Sequence, residues 1–215
     1  MKAARHLLAS LILNLAVLHG TAAAGLGTGA NPLAAKPLPE QDCRTITRQA
    51  EQRHDIPAHL LAAISLAEAS RWDADHQAGI AWPWTVYAEG RGRYLPSKAA
   101  AIAEVRRLKA AGVRNIDVGC MQVNLKYHPD AFASLGEAFD PERNADYAAR
   151  FLKDLEREHR SWSQAVAFYH SATRELSRPY RLKVMQFWHD ERLRAYKLRR
   201  AENLARVRAR RARFR

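Results

Sequence analysis

Apolar residues recur at three- and four-residue spacing through most of the chain between about Gln41 and Trp188, the repeat that places one stripe along an α-helix. Ile46, Ala50 and Ile56 bracket a first helix, and Pro57 suits the opening turn of a second that ends near Ser70. In that second helix Leu60, Leu61, Ile64 and Ala67 make the stripe, and Glu68 falls inside it. Ser97 caps a third helix, with Ile102, Val105 and Leu108 on one face and Gly112 closing it. Gly119 opens a short helix. Asp140 and Pro141 begin a longer one, in which Ala145, Ala148, Leu152 and Leu155 repeat. Ser161 caps the next, which buries Ala165, Val166 and Tyr169 or its neighbours, and a last helix from about Pro179 holds Val184, Phe187 and Trp188. Only "AWPWTVYAEGRGRYLP", ending at Pro96, breaks the helical period; its two β-prone runs around "EGRG" predict a hairpin. The expected fold is an all-α domain with one small β-hairpin over residues 41–190, with no internal repeat and no second domain.

The ends of the chain change this picture. Lys2, Arg5 and His6 precede the apolar run from Leu7 to Leu18, and Ala22 and Ala24 have the spacing a signal peptidase reads, so residues 1–24 are expected to be a cleaved secretory signal. The alternative is a membrane anchor, for which the run is short. Residues 25–40, rich in Gly, Pro and Ala, read as a flexible linker. The net charge of +13 comes mostly from the end of the chain, residues 191–215, where from Arg192 onward eleven Lys or Arg face one acid, Glu202. This basic C-terminal tail is either a solvated, partly helical extension or a patch drawn to anionic envelope polymers or phospholipid head groups. Nucleic acid is not an expected partner of an exported chain. Cys43 and Cys120 are the only cysteines; in an oxidising compartment they form either a disulfide or two buried thiols.

Glu68 is the candidate for chemistry. It lies in the last turn of its helix, where the backbone dipoles disfavour a negative charge, and burial acts in the same direction. Both favour a protonated carboxyl able to donate near neutral pH. The bland alternative is a helix-end Glu that reaches solvent or pairs with Arg71. Asp73 and Asp75 read as turn residues, and His54 and His59 lack the spacing of a helical metal pair, so neither metal nor cofactor is expected. Trp82, Trp84, Tyr87 and Tyr94 concentrate aromatic surface in the hairpin, where it can wall a sugar-binding cleft or pack the hairpin onto the domain.

Three further stretches follow Glu68 in order: "GCMQVN" at Gly119 to Asn124, "DPERNADYAARFLKDL" from Asp140, and "AVAFYHS" at Ala165 to Ser171. Together with the Glu, they resemble the catalytic domain of the soluble lytic transglycosylases, lysozyme-like enzymes that cleave the peptidoglycan glycan strand, over about Cys43 to Trp188. The resemblance implies Glu68 as the sole general acid and base, Met121 and Gln122 as sugar contacts, and Tyr169 as the partner that orients the Glu. His170 stands where the family has Asn, and it contacts substrate or completes a hydrogen-bond network. Ala69 stands where the family has Ser. The resemblance further implies cleavage between N-acetylmuramic acid and N-acetylglucosamine with a 1,6-anhydro product, in the periplasm, with peptidoglycan as partner. Two uses stay open, general wall remodelling and a local passage for an envelope-spanning secretion, flagellar or conjugation machine, the second of which suits a small enzyme of this kind. Three rivals stay open: a hydrolytic muramidase of the same fold, a non-catalytic peptidoglycan-binding or assembly module, and an adaptor whose working part is the basic tail.

Overall fold

A computed structural model describes residues 42–213; the expected signal at 1–24 and linker at 25–40 lie outside the described residues. Helix α1 (Cys43–Arg53) starts from Asp42, whose carboxylate accepts from the Arg44 N–H at 3.1 Å. Helix α2 (Leu60–Ala69) has no cap of its own, because His59 sits in the left-handed region at φ 72° with its side chain uninvolved. Glu51 of α1 supplies the missing acceptor, taking the N–H groups of His59 at 2.7 Å and Ala62 at 3.1 Å. Every residue of α2 from Leu60 to Leu66 is buried, so this helix runs through the centre of the domain instead of lying on its surface.

The polypeptide then forms two antiparallel pairs, β1 (Ser70–Asp73) with β2 (Ala78–Ala81) and β3 (Thr85–Ala88) with β4 (Arg91–Tyr94). The second pair is the hairpin expected around "EGRG". After α3 (Lys98–Ala110), β5 (Ile116–Val118) and β6 (Val123–Asn124) join it, giving a four-stranded sheet in the order β4-β3-β5-β6. The β component is therefore larger than one hairpin, in strands of four residues or fewer that are too short to show alternation. Gly119 opens no helix: it makes the tight turn between β5 and β6, with Gly119 at φ +83° and Gln122 at φ +46°.

Four helices complete the domain: α4 (Leu135–Ala138), α5 (Pro141–His159), α6 (Trp162–His170) and α7 (Arg174–Ala212). Helix α7 starts five residues before Pro179, and it continues unbroken through the stretch read as a separate tail. Its middle is pinned by Glu191, which is buried and accepts two hydrogen bonds from the Arg44 guanidinium at 2.9 and 3.0 Å. Two apolar clusters result. The larger joins α1, α2, α5, α6 and the first half of α7 through Leu61, Ile64, Leu152, Val166 and Val184. The smaller packs the four-stranded sheet against α3 and α4 through Val86, Val105, Leu108, Ile116 and Phe139. Among the described residues no helix is long and apolar enough to cross a membrane.

Candidate active site

The β5–β6 turn lies where the helices converge, and it is held from four of them. Cys120 is disulfide-bonded to Cys43 at the start of α1, with the Cα atoms 5.7 Å apart. The Ser65 hydroxyl of α2 donates to the Cys120 carbonyl at 3.0 Å. Asn144 of α5, fully buried, accepts from the Met121 N–H at 2.9 Å and donates to the carbonyls of Val118 and Ala138, both at 3.1 Å. The Tyr169 hydroxyl of α6 donates to the Met121 carbonyl at 2.9 Å. Gly119 is needed here twice over: besides its positive φ, a Cβ on it would stand 2.5 Å from the Asn144 amide.

Beside this turn opens a cleft of about 540 Å³, and Glu68 lines it together with Gln122, Tyr169 and His170. Burial raises the Glu68 pKa from 4.5 to about 7. The nearby Asp117 charge adds to the rise, while the Tyr180 hydroxyl and the Lys183 ammonium oppose it. Tyr180, on α7, is buried with its hydroxyl facing this carboxyl but in no aligned hydrogen bond. Lys183, one turn further on, donates to the Ala67 carbonyl at 2.7 Å, capping the end of the helix that carries Glu68. A carboxyl placed this way is about half protonated at neutral pH, so one group can give a proton and then take one back.

The structure departs from the sequence reading at four positions. Met121 is fully buried in the larger core and does not line the cleft; its backbone, not its side chain, shapes the turn. Trp84 lies away from the cleft, edge-on to Trp82 at 5.4 Å and packed on the smaller core. Its position in a short turn before β3 aims the indole inward. Tyr169 borders the cleft, but its hydroxyl is engaged by Met121, and Tyr180 is the tyrosine whose hydroxyl faces Glu68. Gln122 donates both amide hydrogens to backbone carbonyls, of Gly119 at 2.9 Å and Thr85 at 3.1 Å. Two carbonyl neighbours fix the amide orientation, which leaves only the Gln122 Oε1 to meet a ligand, as an acceptor.

His170 stacks on the Tyr180 ring at 4.4 Å, and burial with the Lys183 charge lowers its pKa, so the imidazole is neutral at pH 7. The aromatic wall of the cleft comes from α5, α6 and the loop after β6. Phe151 packs against His128 at 4.9 Å and Tyr169 at 5.6 Å, and the Tyr147 hydroxyl meets the His128 Nδ1 at 2.8 Å. Tyr87 of the hairpin also borders the cleft. A second carboxylate lies here that the sequence reading passed over: Asp117, half-buried on β5, with its pKa raised by burial against the lowering effect of the Asn124 amide, which donates to it at 2.7 Å. No sequence signal marks it, because β5 is too short to show alternation; in the fold Ile116 and Val118 face the core, and Asp117 between them faces the other way. Among the described residues no three His, Cys, Asp or Glu side chains gather as a metal site would require.

A family model described as the transglycosylase SLT domain matches residues 45–184, a span that contains the whole cleft lining and, behind Glu68, Tyr180 and Lys183. No curated protein and no solved structure matches the chain.

Proposed function

Since the chain belongs to the transglycosylase SLT domain family, lysozyme-like proteins that act on peptidoglycan, we propose that it is a lytic transglycosylase working through the single carboxyl of Glu68. The observation that carries this reading is the Glu68 carboxyl set in the cleft wall with Gln122 and Tyr169, where burial raises its pKa to about 7. In the first step Glu68 gives its proton to the oxygen linking N-acetylmuramic acid to N-acetylglucosamine, and that C–O bond breaks. The substrate's own acetamido oxygen stabilises the positive anomeric carbon. In the second step the muramoyl 6-hydroxyl attacks that carbon and returns its proton to Glu68, closing a 1,6-anhydro ring. No water is consumed, and the carboxyl ends as it began.

The other cleft residues suit this scheme. Gln122 Oε1 is free to accept an acetamido N–H, and the rings of Tyr87, Tyr147 and Phe151 offer apolar faces to sugars. Asp117 acts on Glu68 through charge, helping to keep it protonated until the leaving oxygen takes the proton. Asp117 also supports a second reading, hydrolysis, because two carboxylates across one cleft can activate a water. Mass analysis of muropeptides released from purified sacculi separates them, since the anhydro product is one water lighter. Fully hydrated ends would sink the transglycosylase reading, and no release at all would favour a binding module. The expected site of action is the periplasm, after export on residues 1–24, in general wall turnover or beside an envelope-spanning machine; cell fractionation with and without those residues tests the location.

A further inference from the structure

Phe168 has a cavity on either side of it. The same residue walls a second recess of about 730 Å³, lined by Arg174, Arg178 and Arg181 of α7, with Ser177 between them and His159 from the end of α5. His159 stacks face to face on Phe168 at 4.0 Å, fixing the ring that divides the two spaces. The three arginines, four and three residues apart, share one face of α7.

Several arginines elsewhere in the domain are matched with carboxylates: Arg44 with Glu191, Arg93 and Arg107 with Glu104, Arg150 with Asp146. Around this recess they are not. Among the described residues no carboxylate lies within ion-pair distance of any of the three, although Glu175 is on the same turn; Arg181 makes one hydrogen bond, to the Ser163 hydroxyl at 3.3 Å. Like charges at this spacing repel, so the recess holds a local excess of positive potential directly beside the cleft.

We infer that the recess binds the carboxylates of the peptide stems carried by the glycan strand, so that stem-bearing strands are preferred over stripped ones. The inference rests on the reading of the cleft as a peptidoglycan-cleaving site. Guanidinium forks match planar carboxylates, the sugar rings themselves are uncharged, and the one aromatic face in the recess is already covered by His159. The distal basic stretch of α7 is a separate feature and is not needed.

The test compares strands bearing stems with the same strands stripped by an amidase, which keep only the short lactyl carboxylate. Turnover by the wild type and binding by Glu68→Gln are both measured. The expected ratio of kcat/KM, stem-bearing over stripped, is about tenfold for two exposed ion pairs. It falls to near one in Arg174→Glu/Arg178→Glu, is partly kept by the double Lys variant, and shrinks as salt is raised. A wild type without preference, or a charge-reversed variant with the wild-type ratio, overturns the inference and leaves the cleavage reading intact. A wild type that cleaves neither strand overturns the cleavage reading, and the binding comparison then decides the recess alone: preference for stem-bearing strands upholds it, equal binding ends it.

Discussion

Replacing Glu68 with Gln tests the physical premise of the mechanism without measuring turnover. A carboxyl whose pKa is 4.5 in the unfolded chain and about 7 in the fold holds its proton more tightly when folded. The fold therefore gains from Glu68 protonation fully below about pH 4.5, loses that gain as pH rises, and has lost it all above about pH 7. At about 1.4 kcal/mol per pH unit, the loss comes to about 3 kcal/mol, an upper bound because the cleft admits water. Gln keeps the shape and cannot ionise. Urea unfolding of both proteins should therefore show nearly equal stability at pH 4, with the Gln variant ahead by up to about 3 kcal/mol at pH 8. The same variant should release no muropeptides. A stability difference that does not change between pH 4 and pH 8 would mean that the carboxyl is ordinarily solvated, and the argument for a proton held near neutrality would fail.

Three other outcomes follow from the geometry. Tyr180→Phe removes a buried hydroxyl that makes no aligned hydrogen bond and that lowers the Glu68 pKa, so stability should change little while the alkaline limb of the kcat/KM–pH profile moves to higher pH. Gly119→Ala forces a Cβ against Asn144 at a positive φ; the expected cost is about 2–4 kcal/mol by denaturant titration, with activity falling in parallel as the turn is displaced. Removing the Cys43–Cys120 bridge, which spans 77 residues, by double Ser substitution should lower stability by about 4 kcal/mol; an unchanged unfolding midpoint in reducing and oxidising buffer would contradict the bridge.

The helices were legible because long apolar repeats and caps such as Ser97, Asp140 and Ser161 act locally. The place of Glu68 inside an apolar helix was legible for the same reason, but only the resemblance carried by the later motifs chose it over a solvent-facing Glu. What escaped depends on contacts between residues far apart in sequence. Met121 and Gln122 are neighbours, yet the turn sends one side chain into the core and the other toward the cleft, a divergence fixed by Asn144 and Thr85. Trp84 and Tyr87 are equally aromatic, and only the turn before β3 and the strand that follows decide which faces the cleft. Tyr180 comes after the motif stretches and reaches Glu68 only because α7 packs along α2, while Pro179 disguised the true start of that helix. The basic residues past Arg192 suggested an extension only partly helical, but no helix breaker interrupts them, and the helix continues to Ala212.

A turn gripped by α1, α2, α5 and α6 at once has no private way to open. The Met121 amide, bonded to a side chain that is itself fully enclosed, should trade its hydrogen for deuterium only when the entire domain comes apart. A bulky polymer entering the cleft must then be accommodated by the rest of its lining, of which Tyr127, exposed to 67%, is the least enclosed aromatic.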